Sequence, residues 1–323
     1  MNHHLVADIG GTNARVGLVT GEGNEIFGIE QFSNRDFPSL KDVIAAFLEK
    51  AQCVVLPKKA CFAVASPVVG DEISFTNNSW SFSIEGLKEE LGLDFLHVMN
   101  DFEAVARSLP FLGPNELFQI GEGEACPHRA LAVLGPGTGL GMAALIPALP
   151  TAVAIPSQGG HSSFAPANEK EEGIARYLRQ RIGFVSNEDL LSGGGLCNIY
   201  EALSAEAGLS IPKPDAATVT ERALSGNDAI ALDALDCFTG ILGSVAGDFA
   251  LQMGACGGVY IAGGIVPRFL EYLDKSSFRR RFETKGRMAT YVSAIPTYVI
   301  MGTEPGLIGA ASIFDEGALR RTT

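Results

Sequence analysis

A chain of 323 residues is longer than one hydrophobic core usually serves, so two lobes are expected. With 46% hydrophobic residues, 19% charged residues and a mean hydropathy of +0.19, the composition excludes a largely disordered chain. A formal net charge of −13 and a pI near 4.9 argue against a nucleic-acid backbone or an anionic membrane surface as partner, although one cleft can still attract an anion through local dipoles or a metal.

The apolar start is too short for a signal peptide, and no run of ~20 residues is apolar without interruption, so the expectation is a cytoplasmic protein with no membrane partner. Six cysteines are scattered with no C-x-x-C pair, which reads as free thiols rather than a zinc or redox motif. Asn77-Asn78-Ser79 matches a glycosylation sequon that has no meaning without secretion.

In chain order, residues 5–9, 15–19 and 26–32 are short apolar or alternating runs separated by Gly-rich turns, the pattern of an antiparallel meander. Leu40, Val43, Ile44 and Phe47 then recur at helical spacing behind Ser39 as cap. Strand-like runs return at 61–68, 73–77 and 95–100, and Phe102, Val105, Ala106 and Leu109 restore a helix. Strands followed by strand–helix alternation predict an α/β layer architecture. At 131–146 an apolar run, a glycine turn and a second apolar run repeat the opening. Gly11-Thr12 laid over Gly137-Thr138 gives an offset of 126 that reads as an internal duplication or as chance. Helical patterns follow at 187–207 and about 230–252, then a buried strand with a glycine turn at 258–267 and a helix opening at "LEYL". A last strand is expected at 297–301, and after Pro305 a helix that packs back on the first lobe.

Three glycine turns stand at strand ends: Asp8-Ile-Gly-Gly-Thr-Asn13, Gly135 to Gly141, and Ala262-Gly-Gly-Ile-Val266. None carries the Lys of a Walker loop, and none fits G-x-G-x-x-G before a helix. Consecutive glycines nevertheless let backbone N–H groups approach phosphate oxygens; the alternative for any one of them is an ordinary hairpin turn. Asp8, at the end of a strand beside such a turn, suits a hydrated Mg²⁺, or else accepts backbone N–H bonds within the turn. Asn100 and Asp101 stand where a strand meets a helix. They are a candidate ligand pair with Asp101 as general base, or else an N-cap with Glu103 completing a capping box. Loop 155–164 holds Gln158 and His161. At 186–195, Glu188 reads alternatively as a helix first-turn charge, with Ser186 and Asp189 as capping box.

Seven blocks in order, "DIGGTNAR" (8–15), 65–83, "NDFEAVA" (100–106), "GPGTGLG" (135–141), "QGGHSSFAP" (158–166), "VSNEDLLSGGGL" (185–196) and 257–271, give the chain a resemblance to the bacterial glucokinase family. It lacks the zinc-binding cysteine cluster of the related repressor-and-kinase sugar family. The resemblance implies a two-lobed α/β duplicated ATPase fold, ribonuclease H-like and of the actin/hexokinase type, with the active site in the interdomain cleft. It implies a small domain of residues 1–110 plus 302–323 and a large domain of 111–301. ATP would be the co-substrate, held by Asp8, Gly10, Gly11, Thr12, Asn13, Gly137, Thr138, Gly139, Gly263 and Gly264, with Mg²⁺ at Asp8. D-glucose would be held by Asn100, Asp101, Gln158, His161 and Glu188, with Asp101 taking the proton of the 6-hydroxyl. A homodimer is typical of the family.

Position 158 departs from the family pattern, which has Glu in this loop. Gln accepts the same hydrogen bond without charge assistance, which weakens it by on the order of 1 kcal/mol. That departure motivates two alternatives, a non-catalytic sugar or nucleotide sensor on the same fold and a kinase for another hexose. A dinucleotide-binding dehydrogenase is the third, and it requires the first glycine turn to open a helix.

Overall fold

The computed structural model describes residues 3–20, 25–53, 55–75, 80–148, 152–209, 212 and 214–314. The chain forms two compact units, one of Met1–Gly113, Ala148–Pro156 and Gly302–Thr323, the other of Pro114–Pro147 and Ser157–Met301.

The first unit opens with β1 (His3–Ile9), β2 (Asn13–Thr20) and β3 (Ile26–Ser33), followed by α1 (Leu40–Lys50) and β4 (Lys59–Val64). A small hairpin of β5 (Glu72–Ser74) and β6 (Ser81–Ser83) precedes α2 (Ile84–Glu90), β7 (Phe95–Asn100) and α3 (Asp101–Ser108). The main sheet runs β3-β2-β1-β4-β7. β1 is antiparallel to β2 and parallel to β4, and β4 is parallel to β7. The central strands are apolar on both faces because both faces are covered. Leu5, Ala7, Ile9, Ala60, Phe62 and Val64 join the Leu40, Val43, Ile44 and Phe47 stripe of α1, whereas Val6, Cys61, Ala63 and Met99 face Ala104 of α3 and Leu307, Ala310 and Ala311 near the chain end.

The second unit holds β8 (Leu117–Ile120), β9 (Leu131–Pro136), β10 (Leu140–Ile146), β11 (Val153–Ser157), α4 (Glu169–Ile182), α5 (Gly193–Glu206), α6 (Ala216–Ser225) and α7 (Ala229–Met253). Then come β12 (Gly258–Ile261), α8 (Leu270–Lys275), α9 (Phe278–Glu283), α10 (Ala289–Ser293) and β13 (Thr297–Ile300), after which α11 (Pro305–Ala311) returns the chain to the first unit. β11 straddles the boundary between the two sets of residues. The sheet runs β11-β10-β9-β12-β13-β8. β9 is antiparallel to β10 and parallel to β12, and β12 is parallel to β13.

The two sheets therefore share one topology, a β-meander whose first strand continues into two parallel crossover strands, with β8 added antiparallel at one edge of the second. This supports the duplication suggested by the repeated Gly-Thr. The hairpins differ by one residue: Ile9 pairs with Ala14 across four turn residues, and Pro136 pairs with Leu140 across three.

α7 is the one helix among the described residues long and apolar enough to cross a membrane, yet most of its apolar window is buried in the core of its own unit. Its Gly243 and Gly247 carry no Cβ that would strike the carbonyls of Phe278 and Phe282, which lets α9 pack against it directly.

Several elements are shorter than their sequence patterns. The run 61–68 stays a strand only to Val64, because the chain bends at Ala65 and Ser66. The helical pattern 187–207 begins only at Gly193. Ser186 and Asp189 form their capping box on an isolated turn, and Ser192 caps α5 itself. Of the run 73–77, residues 76 and 77 lie outside the described residues, as do those of the sequon.

Candidate active site

In the first unit, the β1–β2 turn closes on itself through Gly10 N–H, which donates to Asn13 O at 2.9 Å. Among the described residues, the N–H groups of Gly11 and Thr12 then donate to nothing. The chain continues from Asn13 as strand β2 and not as a helix, which removes the dehydrogenase reading.

The Asp8 carboxylate makes no hydrogen bond among the described residues, so it does not serve the turn as an acceptor. Its side chain is 23% exposed, with Arg15 Nη1 at 3.9 Å from Oδ2, and Arg15 Nε lies 3.5 Å from Glu304. Burial, opposed by Arg15 and reinforced by the Glu304 carboxylate, raises the Asp8 pKa from 3.8 to about 6.

β7 delivers Asn100 and Asp101 to the end of the parallel strands. Asn100 is the N-cap of α3: its Oδ1 accepts from Phe102 N–H at 3.0 Å and Glu103 N–H at 3.3 Å. Its Nδ2 donates to Asp101 Oδ1 at 2.9 Å and to Ser66 O at 3.2 Å, which fixes the rotamer of both residues. The cap role is therefore filled, and it is compatible with the ligand-pair reading. Glu103 does not complete the expected capping box, because its carboxylate takes Arg107 one turn on. Phe102 N–H also donates to Asp101 Oδ1 at 2.9 Å, so Oδ1 has two donors and Oδ2 none among the described residues. Burial, then the charge of Asp8, pushes the Asp101 pKa up to about 7 against those hydrogen bonds.

The second unit repeats the turn. Gly137 N–H donates to Gly139 O at 2.8 Å, and the N–H groups of Thr138 and Gly139 donate to nothing among the described residues. Glu188 lies in the turn before α5, not in the helix first turn of its alternative reading. Its Oε2 accepts Leu140 N–H at 2.7 Å, and its Oε1 stands 3.8 Å from His161 Nδ1. Glu188 N–H donates to Gly160 O at 2.9 Å, and Gly160 packs on the Leu140 carbonyl. One carboxylate therefore ties the Gly137–Gly139 turn to the loop carrying Gln158 and His161. Gln158 makes no side-chain hydrogen bond among the described residues, and the His161 side chain is 62% exposed. Gly263 adopts φ +90° against Pro136 O, which seats the third glycine turn beside β9, whereas Gly264 faces open space.

A Cβ on Gly139 would overlap Glu188 Oε2. Gly139→Ala is accordingly expected to break the Leu140–Glu188 bond and to lower kcat/KM in steady-state kinetics by about tenfold or more, the worth of a hydrogen bond to a charged group.

The residues named from sequence thus gather into two sets, Asp8 to Asn13 with Asn100 and Asp101 in the first unit, and Gly137 to Gly139, Gln158, His161, Glu188 and Gly263-Gly264 in the second. Sequence reading missed Arg15 and Ser66. Arg15 was legible in principle, because an antiparallel register about the turn sets it opposite Asp8; Ser66 acts through its backbone carbonyl, which Asn100 reaches from 34 residues away and which leaves no local pattern.

The glucokinase family model matches residues 5–317. A glucokinase of Pectobacterium atrosepticum is 44% identical over 308 residues, 95% of each chain. The bifunctional protein glk of Burkholderia pseudomallei is 44% identical over 319 residues, and this chain spans 98% of its own length but 49% of that protein. Among solved structures, a glucokinase from an Antarctic psychrotroph superposes with a TM-score of 0.87 at 35% identity, covering 97% of this chain and 99% of that one.

Proposed function

Because the chain belongs to the glucokinase family and is an ATP-dependent glucose kinase, we propose that Asp101 is the general base that prepares the glucose 6-hydroxyl for phosphoryl transfer. The observation that carries this assignment is Asp101 Oδ2, left without a hydrogen-bond partner among the described residues while two donors hold Oδ1. Oδ2 accepts the hydroxyl proton, O6 forms a bond to the γ-phosphorus of ATP, and the bond from that phosphorus to the bridging oxygen breaks to release ADP.

The Gly11, Thr12, Thr138 and Gly139 N–H groups hold the phosphate oxygens, and Gly263-Gly264 lies on the adenosine side. Asn100 fixes Asp101 for the sugar, and Gln158, His161 and Glu188 contact sugar hydroxyls, with Glu188 Oε1 free to do so. The carboxyl of Asp8, which has no hydrogen-bond donor among the described residues, fits a hydrated Mg²⁺, whose chemistry when bound is to neutralise phosphate charge. The family resemblance further implies a homodimer in the cytoplasm.

Formation of ADP by the purified chain with Mg-ATP tests the reading: turnover that requires glucose supports it, and no turnover with glucose, mannose or fructose overturns it in favour of a sensor or a kinase for another hexose. In the same assay Gln158→Glu is expected to lower the glucose KM about fivefold, through a charge-assisted bond to the sugar, with the ATP KM unchanged.

A further inference from the structure

Asn34 opens the short 3-10 turn that follows β3, and it is only 5% exposed. Its backbone N–H donates to Thr12 O and its Nδ2 donates to Gly10 O, each at 2.9 Å. A peptide group is planar and trans, so the C=O of one residue and the N–H of the next point in opposite directions. Holding Gly10 O toward Asn34 therefore turns the Gly11 N–H to the other side of the chain, and that is one of the two N–H groups the turn leaves free.

The orientation of the amide is dictated by the same contact. Flipped, it would set Oδ1 against Gly10 O, two acceptors facing one another. As it stands, Oδ1 is buried with no partner among the described residues, a desolvation cost that the fold sustains to keep this clamp. The second unit achieves the equivalent with backbone alone. Gly193 N–H donates to Gly137 O at 2.9 Å, which turns the Thr138 N–H outward in the same way. In the first unit the corresponding carbonyl depends on a side chain 24 residues away.

We propose that Asn34 is a positioning residue for phosphoryl transfer, whose side-chain amide aims the Gly11 N–H at a phosphate oxygen of ATP. This rests on the reading of the Gly10–Asn13 turn as a phosphate loop, and Gly11→Val, which obstructs that loop directly, separates the two claims. Asn34→Ser removes the amide and keeps the backbone contact to Thr12, and Asn34→Asp replaces the donor with an acceptor facing Gly10 O. The measurements are calorimetric affinity for a non-hydrolysable ATP analogue, KM for ATP and for glucose, and the melting temperature.

Asn34→Ser is expected to weaken analogue binding and raise the ATP KM by about fivefold, the worth of one hydrogen bond, with the glucose KM unchanged. Asn34→Asp has the larger effect. Analogue binding intact in Asn34→Ser but weakened in Gly11→Val overturns the role of Asn34, as does a variant in which both KM values and the melting temperature move together. Analogue binding intact in Gly11→Val overturns the phosphate-loop reading itself.

Discussion

Asp101→Asn is expected to lower kcat by about 10²–10⁴-fold, the range for loss of a general base, in a protein that folds normally. Asparagine can still accept from Asn100 Nδ2 and Phe102 N–H through its own Oδ1, so the geometry at the head of α3 survives while the proton acceptor is lost. In the parent, kcat/KM for glucose should rise with pH and level off above about 7, because only the ionised carboxylate takes the proton and its pKa is raised from 3.8 to about 7. The same shift has a consequence for stability. The folded chain binds this proton more tightly than the unfolded one, so the contribution of Asp101 to stability falls as pH rises from 3.8 through about 7. Above that range Asp101→Asn should melt at a higher temperature than the parent, and the difference should vanish toward the acid end. A residue retained at a cost in stability at working pH is the signature of a functional site. An Asp101→Asn protein that keeps parental turnover would remove Asp101 from the chemistry.

The second large effect concerns the fold of the other unit. Glu171 of α4 is 1% exposed and pairs bidentately with Arg281 of α9, Oε1 to Nη1 at 2.6 Å and Oε2 to Nη2 at 3.2 Å. The same carboxylate accepts from Ala167 N–H and Asn168 Nδ2 at 2.8 Å, and Arg281 Nε donates to Ser244 Oγ on α7 at 2.9 Å. Glu171→Gln strands the guanidinium without its counter-charge and is expected to cost about 3–5 kcal/mol, read as a lower urea midpoint for this unit. Replacing both partners, Glu171→Leu with Arg281→Met, should recover more than half of that loss, because the attraction within a buried pair largely offsets the desolvation of its charges. A double variant as unstable as the sum of the single ones would show that the pair is a net source of stability.

Several elements were legible because their determinants are local. The apolar run "LVADI", the capping of α1 by Ser39 and the edges of β7 depend on residue type and on neighbouring residues, so the sequence carries them directly. The candidate site was legible for a related reason. Gly10-Gly11, Gly137-Thr138-Gly139 and Gly263-Gly264 mark places where a backbone must come close to something, and the Asn100-Asp101 step marks where a strand gives way to a helix.

Tertiary structure alone decided the rest. Nothing local to Glu188 indicates that one of its oxygens holds Leu140 N–H, 48 residues earlier, or that Gly139 lacks a Cβ to make room for it. The true start of α5 at Gly193 was hidden because the capping box at Ser186 is a valid helix signal, spent on a single turn. Asn34 reads as an ordinary loop residue until the carbonyls of Gly10 and Thr12 are brought to it. The matching strand order of the two sheets depends on parallel pairings between strands far apart in the chain. Residue type and spacing determined which groups could do chemistry here. The long-range pairing of strands decided which of those groups stand together, as Ile9 and Asn100 both flank Val64 across the sheet, because pairing is a property of the folded neighbourhood and not of the segment.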